Sequence, residues 1–190
     1  MSVVWLNGPV GAGKSTLAHA LRALVHPVAP VALLDEDAVR EAIADATASW
    51  NVDGPPPVGL LSAVARVLAQ QGLVVVVAAS DSAAPTLAWN RSNLPGYREV
   101  YLDASPETIK HRSRRRRSID GAAPPPRPLA LPAIVTPTPT PPPDPDLTID
   151  MDNPEPPELL AFRVAVLIPE FVVAAAGAAG VEMHRLRRGA

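Results

Sequence analysis

The chain has 190 residues, a formal net charge of −2 and no cysteine. That length suits one domain with room for a five-stranded sheet covered by helices on both faces. Without thiols there are no disulfides, zinc–thiolate sites or cysteine nucleophiles, which suits a cytoplasmic setting, and the near-neutral charge gives no reason to expect a nucleic-acid or membrane partner.

Val3-Val4-Trp5-Leu6 is an apolar run that reads as a first strand, so no signal peptide is expected ahead of it. Directly after it comes Gly8-Pro9-Val10-Gly11-Ala12-Gly13-Lys14-Ser15-Thr16, a G-x-x-x-x-G-K-S sequence that opens the helical pattern of Leu17, Leu21, Leu24 and Val25. A strand before and a helix after are what make such a P-loop match specific. The glycines allow the backbone to turn tightly so that its N–H groups converge on a phosphate, reinforced by the positive end of the helix. Gly8, Gly11, Ala12, Gly13, Lys14, Ser15 and Thr16 are therefore the candidate ATP-binding residues, with Lys14 on the β- and γ-phosphates and Ser15 on Mg²⁺. The bland alternative is a glycine-rich turn that binds nothing. A lysine in the first turn of a helix, facing a ring of N–H groups, has no packing purpose and suits an anion.

The spacing predicts a helix over 14–25 that stops before His26-Pro27, then a buried strand at Val31-Ala32-Leu33-Leu34. Asp35-Glu36-Asp37 follows, at the acidic start of a helix through Ile43. Residues 47–57 read as a loop, 58–71 as a helix, and Leu73 to Ala79 as a continuous β-branched strand of the kind found at the centre of a parallel sheet. A helix over 85–93 and a turn at Pro95-Gly96 lead to a strand at 98–103. Ser105-Pro106-Glu107 has the cap and first-turn proline of a helix start, and that helix runs into Arg112, Arg114, Arg115, Arg116 and Arg117. Between Gly121 and Pro145 lie 11 of the 24 prolines, which predicts an extended or partly disordered loop rather than a helix or inner strand. A strand at 146–150 and a helix over 155–168 follow. The late apolar run Val164 to Ala179 is broken by Pro169 and Glu170, leaving neither side long enough to span a bilayer. Residues 170–190 have two readings, a helix packed on the sheet or on a second subunit, which leaves a homodimer open.

Alternating strands and helices with a P-loop after the first strand predict a three-layer α/β/α domain of the P-loop type, spanning 1–190. The expected sheet is five-stranded and parallel in the order 2-3-1-4-5, with a lid over 112–145.

The D-x-D pair lies on the strand after the P-loop, which suits a small-molecule kinase. One carboxylate can order the water shell of Mg²⁺ while the other takes the proton of an acceptor hydroxyl. Asp35 is assigned to the metal, with Ser15, and Asp37 to the base, although the order could be reversed; good helix capping is the competing explanation. No N-K-x-D motif is present, which argues against a guanine-nucleotide switch. The arginine run is either a solvated face or a lid that closes over the γ-phosphate. Arg112 and Arg116 share a helix face and are the candidate phosphate contacts.

These pieces together resemble the adenylylsulfate kinase family of small P-loop kinases. The residues that carry the resemblance are Trp5-Leu6-Asn7-Gly8 with the P-loop, Leu33-Leu34-Asp35-Glu36-Asp37-Ala38-Val39-Arg40, Tyr97 to Asp103, and Pro145-Asp146-Leu147-Thr148-Ile149-Asp150. The resemblance implies ATP as donor, Mg²⁺, and an acceptor hydroxyl near Asp37 and Arg40. The chain departs from the family at Ala38, where the family has asparagine. Ser49 to Pro57 stands where the family has an aromatic and a cation-bearing run, and the arginines replace its lid element. A site without those cations has little to hold a phosphosulfate. The leading expectation is thus an ATP-dependent kinase for a hydroxyl of a small, neutral or weakly anionic metabolite, nucleoside or antibiotic. Trp50, Asn51 and Arg91, with Trp89, are candidates to line the acceptor pocket. The rivals are an adenylylsulfate kinase with a divergent acceptor site, a non-catalytic ATP-binding regulator, and an arginine-guided nucleic-acid kinase.

Overall fold

Five short strands pair side by side and all run the same way, in the order β2-β3-β1-β4-β5 expected from the sequence. They are β1 (Val3–Asn7), β2 (Val31–Asp35), β3 (Val74–Ala78), β4 (Arg98–Asp103) and β5 (Leu147–Asp150). The computed structural model describes residues 1–47, 59–80, 82–120 and 141–176; for 44–47 and 115–120 it describes the backbone.

Because successive side chains of a strand point to opposite faces, each strand feeds two cores. Val4, Leu6, Val74, Val76, Val100, Leu102 and Ile149 face α1 (Lys14–Val25) and α6 (Pro157–Ala165). Val3, Trp5, Val75 and Val77 face α3 (Leu60–Gln70) and α4 (Ala84–Asn93). This is the three-layer arrangement. β3 and β1 are buried along their whole length, as the apolar runs Val74–Ala78 and Val3–Leu6 require, with the polar Asn7 buried at the end of β1.

Two expectations change. The strand at 31–35 is only half-buried, because it sits at the sheet edge and pairs with β3 alone among the described residues. The helix expected over 155–168 ends at Ala165, and a second helical stretch, Pro169–Ala176, leaves at 95° to it. Pro169 has no N–H to give and disfavours helical geometry in the residue before it, so the chain bends there. Among the described residues no single helix is long and apolar enough to cross a membrane.

The strand registers set Asp35 beside Ala78 and Asp103 beside Asp150, so the strands' carboxyl ends share one edge of the sheet. In a parallel sheet that edge is where ligands bind. α2 (Glu36–Thr47) begins there directly after β2, and α5 (Pro106–Asp120) begins there after β4.

Candidate functional site

Between the end of β1 and the start of α1 the backbone must reverse over residues 8–13. Gly8 does so at φ 142°, so close to β4 that a Cβ there would lie 2.5 Å from the Leu102 carbonyl oxygen. Gly13 caps α1 at φ 107°, and a Cβ on it would meet the Met151 methyl at 3.2 Å. Ala12 is fully buried, its N–H closing a turn onto the Pro9 carbonyl at 3.1 Å. The result is a loop that delivers the amino end of α1, where backbone N–H groups lack intrahelical partners, to the carboxyl edge of the sheet. Lys14 is buried and folds back over this loop, donating to the carbonyls of Gly8 at 2.9 Å and Pro9 at 2.8 Å. Ser15 and Thr16 are exposed.

These residues form one wall of a cavity of about 640 Å³. Asp35, Glu36 and Asp37 form a second, and Arg112, Met151 and Glu155 stand in a third. The P-loop and the D-x-D carboxylates therefore share one space. Asp35 Oδ1 accepts the Asp37 N–H at 3.0 Å, which opens α2 with its carboxylates at the rim. Arg112, on α5, reaches across with both arms of its guanidinium: Nη1 donates to the Ala12 carbonyl at 2.7 Å and Nη2 to the Met151 carbonyl at 2.6 Å. That planar fork staples α5 to the P-loop and to the end of β5. The start of α5 is itself capped as expected, with Ser105 Oγ accepting the Thr108 N–H at 3.2 Å. Asp152 accepts the Ser105 N–H at 2.9 Å, and that bond, with help from Thr108, holds its carboxyl below the usual range.

Other expected site residues lie elsewhere. Arg91 is corrected: it sits at the opposite edge of the sheet, where Nη2 donates to Glu99 at 3.1 Å and to the Asp144 carbonyl at 2.7 Å, and its guanidinium lies 5.7 Å from the Tyr97 ring centre. The reason is directional, since α4 starts at the carboxyl edge and its last turn, which holds Arg91, reaches the amino ends of β4 and β5. Trp89, on the same helix, is 40 % exposed and is not among the cavity's lining residues. Arg40 pairs with Glu36. Trp50 and Asn51, the Arg116 side chain and residues 121–140 of the lid expected over 112–145 lie outside the described residues.

Sequence reasoning missed a set of polar bonds at the carboxyl ends of β1 and β3. Asn7 is buried and its Oδ1 accepts the Ser82 N–H at 3.0 Å, while the Trp5 indole donates to Ser82 Oγ at 3.0 Å. Glu36 Oε2 accepts the Ser80 N–H at 2.7 Å. These bonds tie Ser80 and Ser82, beyond β3, to α2 and β1. A polar Asn7 closing an otherwise apolar strand was the available signal.

Comparison with known proteins adds to this geometry. The sequence model of the adenylylsulphate kinase family matches residues 1–119. An adenylyl-sulfate kinase of Deinococcus deserti is 40% identical over 111 residues, covering 58% of this chain and 61% of that protein. One from Chloroflexus aurantiacus is 34% identical over 111 residues, covering 58% and 60%. The chain thus spans about three fifths of the length of these relatives. Among solved structures, the Mycobacterium tuberculosis APS kinase CysC in complex with AMPPNP and APS superposes with a TM-score of 0.64 at 25% identity, covering 88% of this chain and 96% of that one. A sugar kinase from Janibacter shares the fold, with a TM-score of 0.58 at 20% identity over 90% of this chain and 98% of that one. With the family match extending over residues 1–119, more than half of its length, the chain belongs to the adenylylsulphate kinase family.

Proposed function

We propose that the chain is an ATP-dependent phosphotransferase that moves the γ-phosphoryl group to a hydroxyl of a small molecule, with 1–190 acting as one kinase domain. The observation that carries this reading is that Lys14, Ser15, Asp35 and Asp37 line one cavity with the glycine loop. In the step proposed, the acceptor oxygen bonds to the γ-phosphorus as the bond from that phosphorus to the bridging oxygen breaks. ADP leaves with that electron pair, and the hydroxyl proton passes to Asp37. Lys14, already buried beside the loop carbonyls, would turn to the β- and γ-phosphates, and Arg112 would hold the loop in shape beneath them. Arg116 is proposed as a lid contact.

A magnesium ion fits this donor set. Among the described residues no three His, Asp or Glu side chains converge into a cage. A lone hydroxyl from Ser15 and one carboxylate from Asp35, with phosphate oxygens and water for the rest, is how Mg²⁺ is usually held. When bound it would neutralise charge on the phosphates.

Two acceptor readings compete. The names of the relatives favour adenylyl sulfate. The departures from the family around Ala38 and residues 49–57 favour another small hydroxyl metabolite. Incubation with labelled ATP, Mg²⁺ and a panel of hydroxyl compounds including adenylyl sulfate separates them by which product carries label. Asp37→Asn should lower turnover by roughly 10² or more with ATP binding retained. Unchanged turnover removes Asp37 as the base, and saturable ATP binding without transfer to any acceptor favours a non-catalytic regulator.

A further inference from the structure

Glu36 is the middle residue of the D-x-D element, and both of its carboxylate oxygens are taken. Oε1 receives the guanidinium of Arg40 one helical turn on, a partly exposed pair of a kind that contributes little by itself. Oε2 reaches further: it accepts the Ser80 N–H at 2.7 Å, 44 residues away in the chain. The ladder between β2 and β3 ends with Asp35 beside Ala78, so this bond carries the contact past the last paired residues.

The D-x-D element has need of such a bond. β2 is only half-buried and, among the described residues, pairs with β3 alone. Asp35 is its last residue and Asp37 lies in the first turn of α2, so both carboxylates are carried by an edge strand. The Asp37 N–H donates to Asp35 Oδ1 at 3.0 Å, a bond internal to the pair. The far end of the Glu36 bond, by contrast, is held to β1. The Ala79 N–H donates to the Leu6 carbonyl at 3.0 Å, the Ser82 N–H to Asn7 Oδ1 at 3.0 Å, and the Trp5 indole to Ser82 Oγ at 3.0 Å. Trp5, Leu6 and Asn7 are buried and lead directly into Gly8, where the P-loop begins. Glu36 thus joins the D-x-D element, through Ser80, to the strand that carries the P-loop, and Ser15, Asp35, Glu36, Asp37 and Ser80 all line the one cavity.

We propose that Glu36 is a positioning residue of the phosphotransfer site: its bond to the Ser80 N–H, rather than its charge, sets Asp35 and Asp37 at their distance from the P-loop. A metal shared by Ser15 and Asp35, and a base at Asp37, need that distance held to within about 0.5 Å. This deepens the kinase reading above and rests on it.

Two conservative variants of the full chain separate reach from charge. Glu36→Gln keeps the length and an oxygen able to accept the Ser80 N–H, while Glu36→Asp keeps the charge and is one methylene short. Calorimetry measures the factor by which Mg²⁺ tightens AMPPNP. That factor should hold to within about twofold in Glu36→Gln and fall about tenfold in Glu36→Asp, the scale on which the outer partners of a metal site act, with Mg²⁺-free affinity unchanged in both. General loosening of the fold would lower the Mg²⁺-free affinity as well. Amide hydrogen exchange at Ser80, followed by NMR, reads the bond without any ligand: it should be slow in the native chain and in Glu36→Gln, and at least about tenfold faster in Glu36→Asp. A loss in Glu36→Gln as large as that in Glu36→Asp overturns the proposal, since charge would then be the agent. So does a Glu36→Asp chain that keeps the Mg²⁺ factor, or fast Ser80 exchange in the native chain. A native chain that binds no AMPPNP is a different result: it removes the kinase reading and the site to be positioned, while slow Ser80 exchange would show the bond itself intact.

Discussion

Replacing Gly8 by alanine tests whether the P-loop is shaped by its approach to β4. The new methyl would stand 2.5 Å from the Leu102 carbonyl oxygen, a backbone atom inside a paired strand that cannot move aside cheaply. The φ of 142° adds a backbone cost of about 1–3 kcal/mol for a residue with a side chain. Overpacking against a rigid neighbour adds about 1–3 kcal/mol. Together these come to roughly 2–6 kcal/mol, and at about 2–4 °C per kcal/mol for a chain of this size the melting temperature should fall by roughly 5–20 °C. Gly59 supplies the control: it too has a positive φ, 95°, but a Cβ there meets nothing within 4 Å. Gly59→Ala should cost only its backbone strain, about 1–2 kcal/mol. Both variants are read by circular-dichroism melting, with Mg²⁺-dependent ATP binding as the functional companion. If Gly8→Ala melts no lower than Gly59→Ala, the contact with Leu102 does not set the loop, and the steric argument for Gly8 fails.

Other consequences are equally checkable. Arg112→Lys keeps the charge but loses the fork, so one of two charge-assisted bonds goes, at about 1.5–3 kcal/mol, with weaker ATP binding; denaturant melts as stable as those of the native chain would refute the stapling role. Burial lifts the Glu99 carboxyl above its ordinary 4.5, outweighing the Arg91 guanidinium that pulls it down. A raised folded value favours folding below the unfolded pKa and loses that contribution as pH rises through the folded one, so the stability of the native chain relative to Glu99→Gln should fall from acid toward neutral pH. Urea midpoints of the two proteins across that range decide it. Asp152 has the opposite sign: the Ser105 N–H and Thr108 keep its carboxyl below the ordinary 3.8. Its contribution is present above that value and lost as pH falls through the folded one, so Asp152→Asn should narrow its gap to the native chain in acid, with a parallel profile counting against the bond.

Where the sequence was read correctly, the signals were local. Val74–Ala78 announced an inner strand because five β-branched or small apolar residues in a row can be satisfied only by cover on both faces. The glycine loop was legible because its chemistry needs neighbouring backbone groups. Where reading failed, the decisive partner was distant in the chain. Arg91 looked like a ligand-facing cation until the direction of α4 took it to Glu99 and Asp144, at the other edge of the sheet. Val31–Asp35 looked buried until pairing left it at the margin.

The order of residues by itself determined the alternation of strands and helices, the phosphate-binding turn, and the placing of Asp35 and Asp37 at the end of the strand that follows, because periodicity, turn chemistry and capping act over a few positions. Only the tertiary structure decided that Arg112 would clamp Ala12 and Met151, 100 and 39 residues away, and that Glu36 would take Ser80 and Arg40 together. Such bonds depend on which strands become neighbours, and each polar side chain has more eligible partners along the chain than the folded packing leaves within reach.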